Sequence, residues 1–137
     1  MGAKLGVVAA VAGLLVSPVP GLAHHSFAAE YDANRPVTLK GTVTKIEWLN
    51  PHARFYIDVR DQNGALTNWN LELASPNLLV RRGWTRKSLN VGDEVTVEGA
   101  AARDGSKMAN ARVVTLTNGR QVFAGSSGGD APPPPAR

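Results

Sequence analysis

Apolar residues fall on every second position in the middle of this chain, and that period excludes most folds before any other feature is weighed. Phe55, Ile57 and Val59 alternate with Arg54, Tyr56, Asp58 and Arg60, the pattern of a strand with one buried and one solvated face. Asn63-Gly64 then supplies the two positive-φ positions of a tight hairpin turn. Trp69, Leu71 and Leu73 resume the alternation on the return. The two strands are expected to be antiparallel neighbours, with Trp69 in the core.

Val37 to Trp48 reads as a longer strand that changes phase. Leu39 and Val43 share one parity and Ile46 and Trp48 the other, so a bend or bulge is expected near Gly41. After the hairpin, Ser75 is a good N-cap, Pro76 suits the first helical turn, Arg81 and Arg82 favour the negative end of the helix dipole, and Gly83 can stop the helix in a left-handed conformation. Val95 and Val97 mark a further strand, Asp104-Gly105 a second hairpin turn, and Ala109 to Thr117 its return. Asn118-Gly119 reverses the chain once more into Gln121-Val122-Phe123. The expected fold is all-β: a small five- to six-stranded OB-like barrel with one short helix between strands three and four.

The ends of the chain have a different composition. Lys4, the apolar run Leu5 to Val16, the break at Ser17-Pro18-Val19-Pro20 and the small residues Gly21 and Ala23 look like a cleaved signal peptide over residues 1–23. The apolar run is shorter than the roughly 20 residues that span a bilayer, so no stable membrane insertion is expected after cleavage. Residues 24–124 then form the barrel domain. Residues 125–137, rich in Gly, Ser and Pro, are expected to be a disordered tail. The chain contains no cysteine, which excludes a lipoprotein anchor and disulfide staples while allowing an oxidising compartment. The formal charge of +4 includes Lys4, and basic and acidic residues are interleaved elsewhere, so no nucleic-acid partner is expected.

The placement of the three histidines points to chemistry. Cleavage after Ala23 makes His24 the first residue, whose α-amine and ring Nδ1 together form a six-membered chelate. His52, in Trp48-Leu49-Asn50-Pro51-His52, offers a third nitrogen, and His25 is an alternative second imidazole. Glu30, Asp32 or water is available for a remaining position. Copper(II) stands at the top of the affinity order for nitrogen donors and accepts such a planar set. Zinc is less favoured, since structural zinc sites usually take four protein ligands, often thiolates. Copper(I) prefers sulfur, and only Met108 remains after cleavage. The bland alternative is an exposed histidine pair at a frayed terminus, with the His52 ring hydrogen-bonded to a nearby carbonyl.

Ala23-His24-His25-Ser26-Phe27 after a signal, followed by Trp48-Leu49-Asn50-Pro51-His52, Ser75-Pro76-Asn77 and Gly83-Trp84-Thr85, resembles a family of small secreted bacterial proteins catalogued only as a domain of unknown function. The resemblance covers nearly the whole mature domain. It implies a periplasmic setting in a Gram-negative bacterium and brings no activity with it.

A second class is a metal-free ligand-binding or protein-interaction module with a saccharide or protein partner. Trp48, Asn50, Tyr56 and Trp84 are its candidate ligand-binding residues, on the polar face with Arg54, Asp58, Asn68, Asn70 and Glu72 or beside it; the proline-rich tail is another contact point. Trp48 and Trp84 can equally cap the barrel. No enzyme is expected: the chain carries no recognisable catalytic triad, cysteine nucleophile, phosphate loop or paired-carboxylate motif. A histidine-brace oxidase is the one exception considered, and a small barrel offers it little substrate platform.

Overall fold

The computed structural model describes residues 27–125. The expected signal peptide, His24, His25 and most of the tail therefore lie outside the described residues. The fold is all-β, as the alternation requires. Its elements are α1 (Phe27–Glu30), β1 (Tyr31–Glu47), β2 (Arg54–Arg60), β3 (Leu66–Glu72), α2 (Pro76–Arg81), β4 (Glu94–Ala102), β5 (Met108–Thr115) and β6 (Gln121–Phe123). The six strands form one sheet in the order β3-β2-β1-β4-β5-β6, antiparallel except that β3 also pairs in parallel with β5. Among the described residues no helix is long and apolar enough to cross a membrane.

The 17-residue β1 is shared between two neighbours. Tyr31 to Thr42 pairs with β4, and Gly41 to Glu47 pairs with β2. The phase change predicted near Gly41 falls instead at a bulge between Val43 and Lys45, which carries Ile46 from the parity of Lys40 to the core side. Gly41 matters for a different reason. A Cβ there would run into the Asp58 carbonyl, so glycine lets β1 and β2 approach closely. Inside the sheet, Leu39, Val43, Phe55, Ile57, Leu71, Leu73, Val95, Val97 and Val114 make one core. Trp69, expected within it, is half-buried and packs on the core edge, with the Lys107 ammonium 5.2 Å from its ring centroid.

The hairpins use a different turn from the one expected. No residue other than glycine has positive φ among those described, so Asn63 does not share the left-handed role. The Gly64 amide donates to the Asp61 carbonyl, the Asp61 amide to the Ala65 carbonyl, and the Asp61 Oδ1 accepts from Asn63 and Ala65. That is a longer loop with one left-handed glycine at its end. The Leu116–Arg120 turn repeats it with Gly119.

The short helix α2 follows its capping signals. The Ser75 Oγ accepts from the Leu78 amide at 3.4 Å, Pro76 opens the helix, and Gly83 follows the C-cap at φ 91°. Leu79 and Trp84 turn inward and close the core at this end.

Candidate functional site

His52 sits in the connection between β1 and β2, after a cis Asn50-Pro51 bond. Backbone hydrogen bonds extend the β2–β3 ladder to this point: the Ala53 amide donates to Ala74, and the Leu73 amide to Ala53. The half-buried ring places its Nδ1 3.1 Å from the Leu73 carbonyl. A carbonyl can only accept, so Nδ1 carries the proton and Nε2 is the lone-pair nitrogen of the neutral ring. The contact satisfies a backbone acceptor and fixes the tautomer together. Carbonyl-oriented imidazoles of this kind are common among metal ligands, and they also occur as purely structural contacts.

The same backbone ladder leads from His52 across the sheet. The Ala74 amide donates to the Ala124 carbonyl at 2.8 Å, and the Ala124 amide to Arg112 at 2.8 Å. Arg112 lines a cavity of ≈ 260 Å³ together with Phe27, Pro36, Ala100 and Asn110.

Phe27 is held there by a segment the sequence did not reveal. The rings of Phe27 and Tyr31 lie 5.8 Å apart and pack on Ala100, Ala102 and Met108 in a second, smaller core on the outer face of the sheet. Beneath it is a buried polar cluster. Glu72 is 5% exposed and Asn110 2% exposed. The Glu72 Oε2 accepts from the Tyr31 hydroxyl at 3.0 Å and from the Arg54 Nη2 at 2.6 Å, while its Oε1 accepts from the Asn110 Nδ2 at 3.3 Å. The Arg54 Nη1 donates to the Asn70 Oδ1 at 3.2 Å. Burial, and then the neighbouring Glu72 carboxylate, push the Tyr31 phenol well above the usual tyrosine range.

Sequence alternation puts Arg54, Asn70 and Glu72 on the polar face, and their strand register brings them together: Arg54 faces Glu72, and Glu72 faces Asn110. What periodicity does not reveal is the cover. The i, i+4 spacing of Phe27 and Tyr31 is the one available hint of a helical turn there.

The other candidate residues are dispersed. Trp84 is 2% exposed and its indole N–H donates to the Phe123 carbonyl at 2.9 Å, so it caps the core and does not line a surface pocket. Tyr56 is half-buried; its hydroxyl donates to the Glu47 Oε2 at 3.2 Å, and the Lys45 ammonium lies 5.1 Å from its ring centroid. Asn50 is exposed in the loop. Trp48 lines a shallow groove of ≈ 530 Å³ with Ile46, Leu49, Arg86, Leu89 and Asn90. Of the carboxylates suggested for a remaining metal position, Asp32 accepts from the Asn34 amide and lies 3.8 Å from the Arg103 Nη1. Among the described residues no group of three or more His, Cys, Asp or Glu is arranged to hold a metal ion; His24 and His25 lie outside them.

In comparisons with known proteins, the profile of a family of unknown function, DUF6152, matches residues 11–111. No curated protein and no solved structure matches the chain.

Proposed function

We propose that this chain, which belongs to the DUF6152 family of unknown function, is a secreted, periplasmic OB-like barrel that binds copper(II) through its mature N-terminus. The barrel reading is supported by the β3–β5 pairing, through which the path β1-β2-β3-β5-β4 returns to β1, and by α2 lying between β3 and β4. Export rests on the sequence of residues 1–23. The proposed ligands are the His24 amine, the His24 ring and the His52 Nε2, with His25 as an alternative imidazole.

The copper reading is carried by the placement of His24 directly after the expected signal; the Nδ1 of His52 is engaged by the Leu73 carbonyl, the contact the metal-free alternative also expects, and this is compatible with the reading because it leaves the other nitrogen as a donor. The role fits binding or delivery of the oxidised ion and involves no catalysis.

The test is intact mass and metal content of untagged protein exported through its own signal, followed by copper(II) titration. A mass beginning at His24, one tightly held copper, and loss of that copper in His24→Ala or when one residue is added before His24 are expected. Copper held equally well by His24→Ala would overturn the reading.

A specific observation also favours the metal-free alternative. Leu49, beside Trp48, is 60% exposed, so the groove at the β1–β2 connection offers apolar surface to a ligand or protein. Such binding would ignore both His24 changes and fall in Leu49→Asp.

A further inference from the structure

We propose that the cavity of ≈ 260 Å³ on the outer face of β1, β4 and β5 binds a small zwitterion with an apolar body, an apolar α-amino acid, whose carboxylate is taken by Arg112 and whose ammonium is taken by Glu98. The site shares no residue with the proposed copper ligands, and it stands or falls apart from them.

The cavity lies between two breaks in the sheet. Along β1 the register with β4 shifts between Asp32 and Pro36, so residues 33–35 leave the ladder and Ala33 stands as one wall. Across β4 and β5, Glu98 faces Val113 and Gly99 faces Ala111, which leaves Arg112 as the extra residue of a bulge. A bulge of this kind re-aims the side chain of its unpaired residue. Gly99 holds the bulge in place: a Cβ there would run into the Asn110 carbonyl, so the two strands keep their close approach only with glycine.

The lining divides into an apolar body and a charged rim. Phe27, Pro36, Val37 and Ala100 supply carbon surface, and the methyl groups of Ala100 and Ala102 make a floor beneath Phe27 and Tyr31. Glu98 and Arg112 supply opposite charges. They come from adjacent strands and border one cavity, yet among the described residues neither side chain has a hydrogen bond or an ion pair. Elsewhere on the same face Arg54 and Glu72 close to 2.6 Å. The Glu98–Arg112 pair stays open, with both groups available to a third partner.

Ligand chemistry follows from that lining. A guanidinium holds a carboxylate through two parallel N–H···O bonds, and a carboxylate in the same rim is the matching acceptor for an ammonium. A fatty acid would set its anion beside Glu98 with no cation of its own to offset the repulsion, and an alkylamine would meet Arg112 with the same conflict. Carrying both charges on one carbon removes both conflicts. Size fixes the rest: the cavity falls just below the roughly 300–1,000 Å³ of drug-sized pockets, which admits a free amino acid and is too small for an oligosaccharide.

The experiment takes the protein exported through its own signal, in metal-free buffer, and titrates it with L-leucine, L-valine and L-phenylalanine by calorimetry and amide NMR. Binding of at least one is expected, with amide shifts centred on Gly99, Ala100 and Arg112. Arg112 is exposed and Glu98 half-buried, so Arg112→Gln and Glu98→Gln should fold as wild type. Each should weaken binding about 10- to 100-fold, the loss of one hydrogen bond to a charged group. Glu94→Gln, which removes the same charge from the same strand away from the cavity, should leave binding unchanged. Isocaproate and isoamylamine, which are leucine without its amine and without its carboxylate, should each bind about 10-fold more weakly than leucine or worse.

No response to any of the three amino acids at millimolar concentration overturns the assignment. Equal binding by Arg112→Gln overturns it too, because the ligand then sits elsewhere. Isocaproate held as tightly as leucine overturns the zwitterion, since Glu98 then has no part in recognition. None of these outcomes bears on the copper reading, which is tested at His24.

Discussion

The outer face of β2 and β3 is polar from end to end, yet its two ends behave as different materials. Near the Asp61–Gly64 turn, the Asn68 Nδ2 donates to the Asp58 Oδ1 at 2.8 Å and to the Thr44 Oγ1 at 3.2 Å, in contact with solvent. Near the other end, Arg54, Asn70 and Glu72 make the same kinds of bond beneath Tyr31 and Phe27. Composition does not distinguish the two ends. Cover does: in water a hydrogen bond replaces another of nearly equal strength, whereas a covered carboxylate has no alternative partner.

The contrast is broken most directly at Glu72. Glu72→Ala removes the acceptor shared by the Tyr31 hydroxyl, the buried Asn110 amide and the partly exposed Arg54 guanidinium and should cost about 3–5 kcal/mol in urea unfolding, since three hydrogen bonds are lost. A cost below about 1 kcal/mol, the range of exposed pairs, would make the two ends equivalent. The comparison sharpens if Glu72→Leu is combined with Arg54→Met and Tyr31→Phe, since replacing both charges and the hydroxyl by apolar groups should recover part of the loss.

Tyr31→Phe comes next, at about 1.5–3 kcal/mol, the range of a hydrogen bond to a charged group. Asp58→Ala at the exposed end should stay within about 0.5 kcal/mol, measured the same way.

A pH titration separates the ends without relying on unfolding energies. Because burial raises the Tyr31 phenol, its protonated form is favoured in the folded state. The stability it contributes is fully present below the free tyrosine value of about 10 and disappears as pH rises through the raised value. In a Tyr56→Phe background, phenolate absorbance should therefore appear only above the free-tyrosine range, and should coincide with loss of the covered segment. Ionisation near pH ~10 with the fold intact would mean that the cover is open to solvent.

The same contrast explains which parts of the molecule can be read from sequence. Ser75-Pro76 and Gly83 bracket α2 because capping is chemistry among close neighbours. The alternation of Phe55 and Ile57 is legible because a half-buried strand imposes it residue by residue. The left-handed turn glycines are legible too, although Asn63 is not part of that conformation: Asn-Gly suits two turn families, and the Asp61 carboxylate, which accepts from two amides, favours the longer one.

The covered end is not legible. Arg54 and Glu72 obey polar-out alternation, and Tyr31, which helps cover Glu72, arrives from 41 positions away in the chain. Nothing in the local pattern of β3 records that arrival. Of the metal candidates, the sequence singles out His52 but not its ring orientation, which depends on a carbonyl 21 residues distant.

The methyl floor beneath Tyr31 also has a use in recognition. Gly99-Ala100-Ala101-Ala102 reads as an unusually slight stretch for a strand, and at Gly99 a Cβ would meet the Asn110 carbonyl. Side-chain bulk at 100 and 102 is therefore a signature by which a covered face can be told from a bare one. A chain of this fold with leucine at those positions has no room for the Phe27–Tyr31 segment on that face. Four small letters in β4 thus report on the path of a segment some seventy residues earlier in the chain.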